Sequence, residues 1–332
     1  MSAFRTTVFC KTVAQAAAML REGQLVAFPT ETVYGLGADA RNPVSVAGIF
    51  ESKQRPHFDP LIVHVSEIAQ VLDIVTDFPA IARTLADAFW PGPLTLVLPK
   101  RSEIPDLVTA GLPAVGVRIP NHPLALELLN EVGQPLAAPS ANPFGGISPT
   151  TARHVLEGLN GRVDGILDGG PCQVGVESTV ISFVERHPLI LRPGGLPIED
   201  IEAVIGPVRR ARHDSTKNNA AQPAPGMLSR HYAPTTPLRV ISADAAAVAI
   251  PGQLCGLLTW GSLPDEGGFA KTERLCATGD LKTCAAEFFA ALRGLDAAGM
   301  DVIIAHRFPD TGLGVALNDR LLRAAIAEDD VE

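Results

Sequence analysis

From residue 11 to residue 205 the chain repeats one alternation, in which a helix-length segment gives way to a short apolar run and then to another helix. "KTVAQAAAMLREG" is helical and ends at Gly23, "QLVAF" is a strand, "VSVAGIFESK" a helix, "PLIVHV" a strand, and "PAIARTLADAFW" a helix stopped by Pro91. "PLTLVL", "VGVRI", "PLAAP", "DGILD" and "STVISFV" continue as strands, with "PLALELLNEV", "TTARHVLEGL" and "IEDIEAVI" as helices. Such alternation predicts an α/β domain whose sheet is buried on at least one face. Near Gly206 the pattern stops. "GPVRRARHDSTKNNAAQPAPGMLSRHYAPTTP" has almost no apolar periodicity and reads as a linker or a functional loop. Beyond it, "LRVIS", "QLCGLLTW" and "DVIIAH" are strands, and "LKTCAAEFFAALRGLDAAG" and "GVALNDRLLRAAIAE" are helices. The division is a first domain over 1–206, a linker over 207–236 and a second, small α/β domain over 237–332. A chain of 332 residues accommodates two cores better than one.

Bulk properties remove several classes of function. No apolar run reaches the roughly 18 residues of a membrane helix. "MSAFRTTVFCKT" lacks the apolar centre of a secretion signal, so the expectation is a cytoplasmic protein. Cys10, Cys172, Cys255, Cys276 and Cys284 are too scattered for a C-x-x-C zinc or redox site and read as reduced thiols. With 27 Lys and Arg against 36 Asp and Glu, the net charge of −9 argues against a general nucleic-acid coater. It leaves room for a local basic pocket.

The cations of the first domain sit beside turn residues. Lys53 and Arg55 lie two apart in "KQRPHFDPLIVH", Arg118 interrupts the apolar "VGVRIP", and Arg192 precedes two glycines in "LRPGG". A buried guanidinium is costly unless an anion meets it. Either ligand anions or the protein's own carboxylates must pair with these residues. "APSANPFGGISPTTARHV" brings Ser140, Asn142, Gly145, Gly146 and Ser148 ahead of a helix start, as in an anion site or in an ordinary capped loop. "FPTETVYGLGADA" follows a strand and reads as a polar, glycine-punctuated turn. Its G-x-G is neither a Walker A loop nor a dinucleotide fingerprint. "GVESTVI" offers Glu177, Ser178 and Thr179 at the start of a strand, for a small polar ligand or for local backbone bonds. His64, His122, His154 and His231 are isolated and read as structural rather than metal-binding. His64 stands out because it ends the strand that follows Lys53 and Arg55. No Ser-His-Asp order, no H-E-x-x-H and no glycosidase-like pair of carboxylates stands out. The residues by themselves point to a nucleotide-like or polyanion pocket without a nucleophile or a metal cage.

Taken in order, "FPTETVYGLGADA", "KQRP…DPLIVHV", "FWPGPLTLVL", "VGVRIPNHP", "PLAAPSANPFGGISPT" and "GVESTVI…ILRPGGL" resemble the Sua5/YrdC family, the threonylcarbamoyl-AMP synthases. These blocks span roughly residues 10 to 206, and "PGMLSRHYAP" resembles the linker of the longer, Sua5-type members. The resemblance implies a twisted mixed open sheet around a large cavity, with a small Rossmann-like α/β C-terminal domain. It implies synthesis of threonylcarbamoyl-AMP from L-threonine, bicarbonate or CO2, and ATP, with release of pyrophosphate. The product would feed N6-threonylcarbamoyladenosine formation in tRNA through a separate transferase complex, so any tRNA contact of this chain would be indirect. By resemblance, Tyr34, His64, Arg118, Ala138 and Ser178 match threonine positions. Lys53, Arg55, Asp59, Ala114, Ser140, Ser148, Arg192 and Tyr232 match ATP positions. Asp59 stands where many relatives have asparagine and Ala114 where many have threonine. Mg2+ is expected to arrive with ATP, with no dedicated protein ligands. Lys53, Arg55 and Arg118 would position the substrates, and the linker would close over them. Two other readings compete: a non-catalytic RNA-binding module of the same fold, which "RRARH" favours slightly, and the carbamoyl-adenylate chemistry of hydrogenase-maturation proteins. The extra acylphosphatase and zinc-finger segments of the latter are missing from this sequence.

Overall fold

The computed structural model describes residues 6–211, 222–228, 231–264 and 267–325. Parts of the expected linker (212–221 and 229–230), and with them Arg212 and His213 of "RRARH", lie outside the described residues, as do 326–328 of the expected closing helix.

The first unit runs β1 (Val8–Cys10), α1 (Val13–Arg21), β2 (Val26–Phe28), β3 (Gly35–Asp39), α2 (Pro43–Lys53), β4 (Ile62–His64), α3 (Ile68–Leu72), α4 (Ala80–Phe89), β5 (Leu94–Pro99) and β6 (Ala114–Arg118). It continues with α5 (Pro123–Val132), β7 (Leu136–Ala137), α6 (Ala152–Leu159), β8 (Gly165–Leu167), β9 (Thr179–Ser182), β10 (Leu189–Arg192), α7 (Ile198–Ile205) and β11 (Arg209–Arg210). The strands form one mixed sheet in the order β1-β8-β2-β3-β7-β4-β6-β5-β9-β10-β11. Helix starts follow local chemistry. Thr12, Asn42 and Thr151 each accept a backbone N–H of the first turn from the N-cap position, and Pro43 and Pro123 open α2 and α5.

The main core lies under this sheet, with Leu36, Val63, Leu96, Val117 and Ile181 from the strands and Ile49, Leu85 and Val155 from the helices. Burial of a side chain of this kind contributes about 1.5–3 kcal/mol. Two segments differ from the sequence reading. "GLGAD" is a strand, β3, because Gly37 packs against the Phe28 ring, where an added Cβ would lie 2.9 Å from a ring carbon. Arg209–Arg210, in what reads as structureless linker, pairs in parallel with β10 and ends the sheet.

The second unit has β12 (Leu238–Ile241), β13 (Cys255–Thr259), β14 (Lys271–Arg274), α8 (Leu281–Asp296), β15 (Val302–His306) and α9 (Leu313–Ala324). Its four strands are all parallel, in the order β12-β15-β13-β14. β14 was not evident in the sequence, since its charged "KTER" lies at the sheet edge. Phe288, Phe289, Leu292, Leu317 and Leu321 pack together with Val33, Ile147 and Val176 of the first unit and with Tyr232 of the linker. The hydrophobic core of the second unit thus extends into loops of the first.

Candidate active site

The ends of β4 and β6 meet the turn after β2. Thr30 Oγ1 accepts the backbone N–H groups of Thr32 and Val33 at 3.2 and 3.3 Å, which folds residues 30–33 into a tight polar turn. β4 and β6 pair in parallel with His64 opposite Arg118, so these two side chains sit next to each other. Arg118 donates to Thr32 Oγ1 at 2.9 Å and to the Gly92 carbonyl at 3.2 Å, and pairs with Glu31 Oε1 at 2.7 Å. His64 lies edge-on to Phe28. Burial, reinforced by the Arg118 charge, pushes its pKa down to about 3, so the imidazole is neutral at physiological pH.

The loop after α2 supplies the next cations. Lys53 Nζ is fully enclosed and donates to the carbonyls of Ser140 and Asn142. Burial, then the neighbouring Arg55, hold its pKa well below the usual lysine value. Arg55 donates to the Asp59 and Pro60 carbonyls and pairs with Asp59 Oδ2 at 2.9 Å. Burial pushes the Asp59 carboxyl up while Arg55 pulls against it. Arg192, at the end of β10, donates to the carbonyls of Ser178 and Pro225, both at 2.9 Å. It has no carboxylate partner within ion-pair distance among the described residues, and its Nε is unbonded there. Ser178 shares a 2.8 Å hydroxyl contact with Thr95.

These groups line a cavity of about 50 Å³. Arg55, His64, Arg118, Ala138, Ser140, Ser178, Arg192 and Tyr232, eight of the residues singled out in the sequence, line it. Thr30, Thr32 and Glu177 contribute polar atoms, and Pro225, Gly226 and His231 close one side. The other singled-out residues lie behind or beside this wall. The Tyr34 hydroxyl donates to the Gly170 carbonyl at 2.8 Å and accepts from Gly169 N–H. Lys53 braces the 140–142 loop, Asp59 backs Arg55, and Ser148 donates to Glu177. Ala114 lines a smaller neighbouring hollow with Thr95, Val97, Pro223 and Ala224.

Both answers to the arginine question hold together. Arg55 and Arg118 carry internal carboxylates, yet they open onto one cavity with Arg192. Sequence reasoning singled out neither Glu31 nor Arg320. Glu31 stood inside the first quoted block as one polar residue among several. Arg320 lies 143 positions from its carboxylate partner Glu177, so spacing gave no signal. Tyr232 adopts φ of 63° and lies stacked near Phe289, which holds the linker against the second unit.

Two family models match the chain, one after the other. A family model covering Sua5, YciO and YrdC, described as "Telomere recombination", matches residues 18–194. A second, described as "Threonylcarbamoyl-AMP synthase, C-terminal domain", matches residues 196–326. The chain is 47% identical to the threonylcarbamoyl-AMP synthase of Bacillus subtilis, over 94% of its own length and 92% of the relative's. It is 44% identical to that of Pyrococcus abyssi, over 93% of each. The crystal structure of P. abyssi Sua5 complexed with L-threonine superposes with a TM-score of 0.87 at 41% identity, covering 96% of this chain and 97% of that one.

Proposed function

This chain belongs to the Sua5/YrdC family, and on that premise we propose that it makes threonylcarbamoyl-AMP in the cavity bounded by Arg55, Arg118 and Arg192. It is a nucleotidyltransferase acting on L-threonine, bicarbonate or CO2, and ATP. The observation that carries the assignment to this cavity is three buried arginines, 6%, 4% and 3% exposed, lining one cavity.

In this reading the threonine carboxylate takes the Arg118 fork, displacing Glu31, a planar pairing suited to guanidinium. His64, Ala138 and Ser178 complete the amino-acid end. A neutral His64 adds no second positive charge, so the threonine amine meets no cation there. ATP lies towards Arg55, Ser140 and Arg192. Lys53, Asp59, Ser148 and Ala114 act from the surrounding layer, and Tyr232 lies over the nucleotide.

The chemistry needs little from side chains beyond placement. The neutral amine adds to CO2 and gives up a proton to solvent, or condenses with bicarbonate with loss of water, and a carbamate forms. A carbamate oxygen attacks the α-phosphorus of ATP, the bond to the bridging oxygen breaks, and pyrophosphate leaves with the electron pair. The carbamate is already an anion, so no strong base is required. The protein holds two anions in line and screens the charge on the leaving group. Arg192, lacking an internal counter-ion among the described residues, is placed for that screening.

Mg2+ is proposed to enter on the ATP phosphates. Among the described residues no group of three His, Cys, Asp or Glu side chains gathers around a potential metal position. The carboxylates at the cavity, Glu31, Asp59 and Glu177, are each paired with an arginine. The product is proposed to pass to a transferase that modifies tRNA, in the cytoplasm. No helix among the described residues is long and apolar enough to cross a membrane.

Incubation with ATP, threonine and bicarbonate should release pyrophosphate only when all three are present. Salt-dependent tRNA binding with no turnover would overturn the reading in favour of an RNA-binding module.

A further inference from the structure

Arg320 on α9 is fully buried, at 0% exposure, in contact with the other unit of the molecule. Its Nε donates to Glu177 Oε2 at 2.8 Å. The other oxygen of Glu177, Oε1, accepts the Ser148 hydroxyl. The same guanidinium lies 4.8 Å above the Tyr232 ring, within cation–π range. One side chain of the second unit thus touches two walls of the cavity, the Glu177 wall and the linker wall. Arg293 on α8 acts on the same loop from the other side, donating to the Ile147 carbonyl and, at 3.4 Å, to the Ser148 carbonyl. Ser148 is held at its hydroxyl through Glu177 and at its carbonyl by Arg293.

We propose that Arg320 and Arg293 are positioning residues for ATP: the second unit completes the nucleotide end of the cavity by fixing Ser148 from both sides and by cancelling the charge of Glu177. The proposal rests on the reading of Ser148 and Tyr232 as nucleotide-side residues.

The electrostatic part follows from burial. Burial alone would raise the Glu177 carboxyl, but Arg320, then Arg192 and the Ser148 hydroxyl, hold it below the usual glutamate range. It is therefore ionised and faces a cavity built for phosphates. An unmasked carboxylate there would repel the triphosphate and draw Arg192 away from its work on the leaving group. Arg320 also meets Asp319 Oδ2 at 2.5 Å and Arg323 meets Asp319 Oδ1 at 3.0 Å, so two guanidinium groups balance two carboxylates, while Glu177 holds the Ser148 hydroxyl behind the cavity wall. A contact that merely glued the two units together would affect both substrates alike. A positioning role predicts an effect confined to ATP, and its reversal when the glutamate charge is removed.

The test uses the full chain and pyrophosphate release, with thermal midpoints recorded in parallel. Arg320→Met should raise the KM for ATP by about tenfold while the KM for threonine stays within about twofold. Arg320→Lys, which keeps the charge without the fork, should recover part of the loss. Arg320→Met combined with Glu177→Gln should bring the ATP KM back to within about threefold of Glu177→Gln alone, a non-additive pattern. Equal rises in both KM values, an unchanged ATP KM in the folded Arg320→Met protein, or additive loss in the double variant would each overturn the proposal. Should Arg320→Met fail to fold, Arg320→Lys and Arg293→Gln decide by the same split: a rise confined to ATP supports the positioning role, and any other pattern refutes it. A wild-type chain that released no pyrophosphate would refute the assigned reaction instead, a result distinct from all of these.

Discussion

Asp59 and Glu31 hold the guanidinium groups of Arg55 and Arg118, at 2.9 and 2.7 Å, in the positions where substrate anions are proposed to bind. Each substrate then binds by exchange, its anion replacing a carboxylate that must find another partner or take a proton. Burial pushes the Asp59 carboxyl up while Arg55 pulls it back, and paired with Arg55 it competes with an incoming substrate anion. Asp59→Asn should therefore lower the KM for ATP by about threefold, a shift of under 1 kcal/mol. It should also lower the thermal midpoint of the ligand-free protein, because Arg55 loses its buried counter-charge. Steady-state kinetics and thermal melts with and without ATP check both signs. Arg118→Ala removes the threonine fork and leaves Glu31 buried without a partner. Loss of one member of a buried charge pair costs about 2–5 kcal/mol, so the threonine KM should rise by about a hundredfold or more. ATP binding by calorimetry should change only a few-fold. Equal loss of both would contradict the division of the cavity. Arg55, Arg118 and Arg192 were legible as site candidates because cations beside or within apolar strands are anomalous in any sequence. Their internal partners were not, since Glu31 meets Arg118 only when the turn after β2 folds against β6.

At the scale of elements, the contact between the 172–177 loop and α8 sets how the two units meet. Gly175 has φ of 75°, and an added Cβ would lie 2.2 Å from the Ala285 carbonyl oxygen. Both conditions exclude a side chain. Gly175→Ala should lower the thermal midpoint, with about 1–3 kcal/mol lost to overpacking, measured by denaturant titration. It should also weaken ATP turnover, because Glu177 is only two residues away. The helices and most strands could be read from apolar period, caps and Gly or Pro stops. β3 could not, because its glycines exist to admit the Phe28 ring, a contact made across the sheet. β14 could not, because an edge strand of polar residues, none of them buried, carries no apolar signature.

For the molecule as a whole, the second core includes Val33, Ile147 and Val176 of the first unit and Tyr232 of the linker. The two units share apolar surface and are expected to unfold together. Calorimetry should show one transition, raised by threonine and ATP through mass action; two separated transitions would contradict a shared core. Acid should weaken this structure in a defined window. His64 titrates at about 3 when folded, because of burial and Arg118, and near 6.5 when unfolded. Above about 6.5 both states are neutral and nothing changes. As the pH falls from there towards about 3, the unfolded state takes up a proton that the folded state refuses. Stability then drops by up to about 1.4 kcal/mol per pH unit for this one group. His64→Gln should remove one proton from that slope, and an unchanged slope would contradict the assignment. The α/β class and the family follow from the order of residues alone, because periodicity, turn chemistry and motif blocks are local properties of the chain. The pairing of Arg320 with Glu177, the internal counter-ions of Arg55 and Arg118, and the closing of the cavity by the linker against the first unit are not local. They depend on side chains far apart in sequence meeting out of water, where charge pairing becomes strong enough to decide the geometry.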